Sequence, residues 1–152
     1  MKYLLITLFF SLIVIGSSNQ VSAQSNYRSI WAILGDVTYN TQEGEDALTL
    51  NITPPTFGKK VLALDGKEIT IEGYVLPLEF QGNYIVISAN PFATCFFCGG
   101  AGPETVMEVY LKGKKKVKSK TVVVKGTLQL NKGDLEHLTY VLKNAVVVEK
   151  QN

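Results

Sequence analysis

Histidine is nearly absent from this chain of 152 residues, with His137 standing alone. A single imidazole leaves acid–base catalysis few players. The sequence holds no Ser–His–Asp set, phosphate loop or paired-carboxylate motif to supply others. Cysteine is scarce too, with 2 in all, so a monomer cannot ligate an iron–sulfur cluster through four of them. An excess of charge of one sign is also missing. Against 15 Lys and Arg stand 13 Asp and Glu, and a balance so near neutral predicts no polyanionic partner, nucleic acid included. Finally, a membrane-spanning apolar run is lacking. The run from Tyr3 to Ile15 is shorter than the roughly 20 residues that cross ~30 Å of hydrocarbon.

That short run follows Lys2 and leads through a polar stretch to Val21-Ser22-Ala23, which is the plan of a secretory signal peptide over residues 1–23. The mature chain would then start at Gln24 and form one domain, 24–152, exported to the periplasm or beyond. No cysteine lies near the cleavage site to carry a lipid. A domain of this size buries about two-thirds of its unfolded surface and needs no staple to hold a core. Export brings an oxidising compartment, where thiol pairs tend to become disulfides.

Within "YRSIWAILGDVTY", Ile30, Ile33, Leu34 and Val37 recur at helical spacing with Trp31 beside them, which predicts a short N-terminal helix. "NTQEGEDALTLNITPPTFGKK" reads mostly as loop, with "ALTLNI" as a candidate strand. From Lys67 the pattern is β. "KEITIEGYVLPLEF" alternates Ile69 and Ile71 against Glu68, Thr70 and Glu72 until Gly73 interrupts it. "NYIVISA", "ETVMEVYLK", "KTVVVKGTLQLN" and "TYVLKNAVVVE" follow, the fourth strand placing Val122, Val124, Leu128 and Leu130 on one face around Gly126. Glycines inside strands mark bends. The pattern predicts a mainly β protein, a small five-stranded OB-like barrel with a short N-terminal helix. Only "GKKKVKS" joins the third and fourth strands, where that fold commonly carries a helix.

Together these features resemble a family of exported bacterial proteins classed as a domain of unknown function. The resemblance is carried by the helix around Trp31, by "LDGKEITIEGYVLPLE" at 64–79, by Cys95, by "VKGTL" at 124–128 and by "YVLKNA" at 140–145. It implies a periplasmic, single-domain, OB-like protein with no assigned activity. In that family the cysteine is followed two residues later by a histidine and then by a proline-rich turn. Here Phe97 stands at the histidine position, Cys98 comes next, and glycines replace the prolines.

"CFFCGGAGPE", 95–104, is the stretch that looks like chemistry, and three readings of it compete. A disulfide between Cys95 and Cys98 would staple the turn between the second and third strands, with a gain at the low end of the usual few kcal/mol because its loop is so short. A redox pair would exchange with thiols, but reactive C-x-x-C pairs sit at helix N-termini, and Gly99, Gly100, Gly102 and Pro103 resist a helix here. A metal clamp would aim both thiolates at one ion, Zn²⁺ or Cu⁺. Zinc wants four ligands, so Glu104, Glu108, His137 or a second chain would complete it, whereas Cu⁺ favours soft ligands and makes Met107 a candidate. Exchanging Cys-x-His for Cys-x-x-Cys preserves metal chemistry and not disulfide chemistry. Metal binding therefore leads, ahead of the thiol–disulfide protein and of a structural or interaction module with a disulfide-shaped loop. Catalysis is not the expected role.

Phe92, Phe96 and Phe97 crowd the cysteines, and aromatics usually bury, so they are expected to pack in the core or loop. His137 lies in the polar stretch "GDLEHLTY", which predicts a solvent-exposed ring with nothing clustered around it. Lys112, Lys114, Lys115, Lys116, Lys118 and Lys120 form a basic run without interleaved aromatics. A solvated hairpin tip accounts for the run better than a nucleic-acid groove, with contact to anionic head groups as its other use.

Overall fold

The computed structural model describes residues 24–39, 41–43, 50–52, 54–78, 84–113 and 117–148. Segment 1–23, for which a signal peptide is expected, Lys114, Lys115, Lys116, the end of the first expected strand at Glu79 and Phe80, and the first part of "ALTLNI" lie outside them.

Helix α1 spans Gln24–Leu34. Leu34 is fully buried in the main core, with Ile30 and Trp31 packed against that core. The expected stripe continued to Val37, but the helix stops earlier: the Gly35 amide bonds the Trp31 carbonyl at 3.0 Å, and Val37 falls in strand β1, Val37–Thr38. Two small antiparallel pairs lead to the barrel. One joins β1 to β4, Thr56–Phe57, and the other joins β2, Thr41–Glu43, to β3, Leu50–Ile52. The stretch read mostly as loop thus carries paired strands. A four-residue helix α2, Lys59–Leu62, follows and buries Val61.

The remaining strands are β5 Glu68–Val75, β6 Tyr84–Ser88, β7 Val106–Leu111, β8 Thr121–Leu130 and β9 Tyr140–Val147. They close a barrel in the order β5-β6-β7-β9-β8, with β5 pairing β8 along Glu68–Tyr74 to complete the ring. β7 and β9 are parallel and the other barrel pairs antiparallel. The molecule is thus mainly β, a closed five-stranded mixed barrel of OB-like order preceded by a short helix.

Period-two alternation fills the barrel. Ile69 and Ile71 of β5, Val122, Val124, Leu128 and Leu130 of β8, and Met107 and Val109 of β7 all enter the main core. Each such side chain contributes roughly 1.5–3 kcal/mol on burial. Glu72 departs from the expected outward face. It is buried because α1 lies over it, with Arg28 at 3.9 Å from its carboxylate and the Trp31 indole donating to its main-chain oxygen at 2.8 Å. Gly126 stands where β8 slips register against β9. A Cβ there would lie 2.8 Å from the Lys143 carbonyl oxygen and 3.1 Å from the Ala145 Cα, so only glycine lets the strands approach at this bend. On the facing strand Asn144 takes φ 54°, a left-handed conformation that Asn tolerates.

Candidate functional site at the Cys95–Cys98 loop

Loop 89–105 joins β6 to β7. Its base is closed by the Ala89 amide donating to the Thr105 carbonyl at 2.9 Å. Between those residues the chain makes three single 3₁₀ turns, at Phe92–Thr94, Phe96–Cys98 and Pro103–Thr105. The cysteines bracket the middle turn. Cys98 and Gly100 both donate their amides to the Cys95 carbonyl, each at 3.1 Å. Gly99 then stops the turn in the left-handed conformation at φ 75°. Gly100 is required by space: a Cβ there would come 2.8 Å from the Thr94 carbonyl oxygen. The expected resistance to helix is met by turns too short to carry a useful dipole at either thiol.

The two thiols differ in setting. Cys95 is fully buried in a small second core with Leu76, Val86 and Val106, against which Leu78, Tyr84, Phe96 and Leu138 pack. Cys98 is exposed. Both are free cysteines, and they stand close enough for the Cys95 side chain to act on the Cys98 thiol. Desolvation first, then the neighbouring Cys95 side chain and its charge, push the Cys98 thiol pKa up. Two adjacent thiols resist becoming two thiolates, and each proton lost makes the next harder to lose.

The other candidates are not all turned toward the sulfurs. Met107 is fully buried in the barrel core, on the face of β7 opposite Val106, which packs with Cys95. Glu104 is half-buried, and its carboxylate folds back over Gly102. From there its charge adds to the rise in the Tyr39 pKa, which burial raises most and the hydrogen bond to Thr139 partly offsets. Among the described residues no group of three or more His, Cys, Asp or Glu side chains is placed to hold a metal ion. Phe96 packs as expected. Phe97 packs within the loop, its ring edge-on to Phe96 with centroids 5.3 Å apart, yet it stays 42% exposed, and Phe92 is 46% exposed outside both cores. Lys112, Lys118 and Lys120 are exposed, while Val117 between them packs on the barrel core.

His137 is not isolated. Its Nδ1 lies 3.0 Å from Glu108 Oε2, and its Nε2 is 3.9 Å from Asp134. Glu108 is 2% exposed on the outer face of β7. It also accepts the Tyr110 hydroxyl at 3.0 Å and the Leu138 amide at 2.7 Å. Lys143 places its Nζ 3.4 Å from the centre of the Tyr110 ring, and Tyr84 stacks on Tyr110 with centroids 5.0 Å apart. This cluster adjoins the small core of Cys95 through Leu138 and Tyr84. Its signal in the sequence was Glu108 itself, an acid inside the apolar run "VMEVYL".

No family model matches this chain, and no curated protein matches it. Among solved structures it is similar to the crystal structure of a DUF3299 family protein from Pseudomonas aeruginosa PAO1, with 18% sequence identity and a TM-score of 0.43, over 66% of this chain and 72% of that chain.

Proposed function

We propose that this barrel binds a soft monovalent metal ion of the Cu⁺ type between the thiolates of Cys95 and Cys98. The observation that carries the reading is that one tight turn, closed by the Cys98 and Gly100 amides on the Cys95 carbonyl, holds both cysteines, one anchored in the small core and the other at the surface. A buried anchor fixes one sulfur, and the exposed partner admits the ion. Soft thiolates select Cu⁺, which is content with two sulfur ligands. Zn²⁺ would ask for a fuller shell, and among the described residues neither Met107 nor a third acidic or histidine ligand converges with the cysteines. Binding exchanges two thiol protons for one ion and leaves a two-thiolate complex.

The protein would work in the exported compartment, storing the ion, delivering it or sensing it. Exposed Phe92 and Phe97 flank the pair and offer a periplasmic protein partner an apolar contact beside the ion. The experiment is titration of fully reduced protein with Cu⁺ and with Zn²⁺ against competing chelators. One Cu⁺ per chain, held far more tightly than Zn²⁺, supports the reading. No Cu⁺ affinity above that of a variant lacking both cysteines ends it.

A second reading is favoured by the complete burial of Cys95. In an oxidising compartment the same pair closes into a disulfide. The pair would pass two electrons and two protons to a partner disulfide, which becomes two thiols. Cys98, the exposed sulfur, would attack the partner disulfide, and its raised pKa leaves little of the thiolate that this attack needs at neutral pH, whereas a soft ion displaces the proton as it binds; the metal reading is therefore preferred.

A further inference from the structure

We infer that Glu108 is the clasp of a lid, pinning the connection 131–139 over the small core that buries Cys95, so that releasing this one carboxylate opens a route to the Cys95 thiol. The connection leaves β8 at Leu130 and returns as β9 at Tyr140. It is organised from within by Asn131, whose side chain donates to the carbonyls of Asp134 and His137 at 2.6 and 2.8 Å and accepts the amides of Gly133 and Asp134 at 3.1 and 2.8 Å. This makes it a preformed unit. Near its two ends the unit is tied by the exposed pair of Lys132 with Asp65 at 3.3 Å and by the Tyr39 hydroxyl donating to Thr139 Oγ1 at 3.1 Å, and over the small core it is fastened to the barrel by the carboxylate of Glu108, with Oε1 taking the Leu138 amide at 2.7 Å and Oε2 facing His137 Nδ1 at 3.0 Å. Between those two contacts, the Leu138 side chain packs against the cluster of Leu76, Val86, Cys95 and Val106.

The fastening is unlike ordinary loop packing. Leu135 at the outer part of the connection is 76% exposed, and the flanking residues 132–137 are exposed as well. Little apolar burial holds this segment apart from Leu138, so its local opening should cost far less than global unfolding. A buried carboxylate that satisfies a main-chain amide, a tyrosine hydroxyl and an imidazole at once is the strong point of attachment. Loss of its charge affects all three partners together. The inference concerns access to Cys95 and holds whichever ion or oxidant the pair meets.

The test measures the rate at which a thiol reagent modifies Cys95 in reduced full-length protein carrying Cys98→Ser, so that one thiol reports. Glu108→Gln keeps the side-chain volume but turns one acceptor into a donor facing the Leu138 N–H or His137. It should raise the Cys95 rate by ~10-fold or more, while hydrogen exchange in the barrel strands stays at parent level. Leu138→Ala, which leaves the carboxylate intact and removes the cover, should raise the rate as well. Glu68→Gln, which disrupts the exposed pair with Lys125 at 2.7 Å, should leave it unchanged. The inference is overturned if Cys95 in Glu108→Gln reacts at the parent rate, whatever Leu138→Ala does, or if strand amides open together with the thiol, since Cys95 would then be uncovered only by unfolding. No metal is added, so the outcome is independent of the titration above.

Discussion

The Tyr140 hydroxyl, at the start of the last strand, donates a hydrogen bond to the main-chain oxygen of Leu34, the last residue of the first helix. The final turn of a helix leaves its carbonyls without internal partners, and here one of them is taken by a fully buried tyrosine. The bond ties α1 to the barrel across most of the chain. Tyr140→Phe keeps the ring and its contact with Phe57, whose centroid is 6.3 Å away, but leaves the Leu34 oxygen unpaired. The variant should fold to the same barrel and lose about 1–3 kcal/mol, read as a lower urea midpoint with an unchanged slope. A midpoint equal to the parent's would mean that the bond contributes nothing.

Two tyrosines predict how stability falls in base. Burial most, then the hydrogen bond to Glu108 and the charges of Glu108 and Tyr84, push the Tyr110 pKa up to about 12. Burial above all raises Tyr140 as well, with smaller contributions from the charges of Tyr39, Glu104 and Asp36. A group whose pKa is higher folded than unfolded favours the fold while it stays protonated. Its contribution is complete below the unfolded value near 10 and is lost as pH climbs through the folded value. Tyrosine ionisation should therefore leave stability level below pH ~10 and lower it between ~10 and ~12. Phenolate absorbance followed through the same range should place the Tyr110 step late, and Tyr110→Phe should remove that step. Ionisation of Tyr110 at the ordinary tyrosine value would contradict the burial argument.

Alternation made the barrel legible. Ile69, Ile71, Val122, Val124, Leu128 and Leu130 all enter the core from the faces their spacing assigned, since a strand has only two faces to choose from. The helix was legible in kind but not in length, because Val37 fits the spacing and the chain turns at Gly35 before reaching it. What stayed hidden depends on contacts between distant segments. Glu72 looks solvent-facing until α1 covers it. His137 looks isolated because Glu108 lies 29 residues earlier. The sulfur pair was visible as spacing, while the burial of one cysteine and the exposure of the other follow from how loop 89–105 folds over Leu76 and Val86.

Gly126 gives a direct check on the barrel bend. Its missing side chain leaves room for the Lys143 carbonyl and the Leu142 side chain, at the register slip that lets β8 turn against β9. Gly126→Val should cost on the order of 1–3 kcal/mol by overpacking the bend. Thermal or denaturant melts read it, and a parent-like midpoint would show that the strands part there without penalty.

If the chain is exported, as the run Tyr3–Ile15 and the Val21-Ser22-Ala23 site lead one to expect, the mature chain should begin at Gln24. The intact mass of protein recovered from its native compartment should correspond to residues 24–152, with Lys2 gone. Recovery of a chain that retains Lys2 would make the apolar run Tyr3–Ile15 an anchor and move the barrel to a membrane surface.

The cysteine pair makes the sharpest prediction, because its readings differ in what one substitution does. If both sulfurs hold the same Cu⁺, Cys95→Ser and Cys98→Ser should each weaken binding nearly as far as the double change, since one thiolate alone is too few ligands. The affinity should also fall with falling pH. Each bound ion displaces up to two protons, so the loss can approach ~100-fold per pH unit below both thiol pKa values. The raised pKa of Cys98 extends that dependence upward in pH. A staple predicts a different pattern: either single change removes the disulfide, lowers the stability of oxidised protein at the low end of the usual ~2–4 kcal/mol range, and leaves metal affinity untouched because there was none to lose. Chelator competition on reduced parent and both single variants, repeated at two pH values, separates the two. Equal affinities for parent and variants, with no dependence on pH, would give the loop to the disulfide.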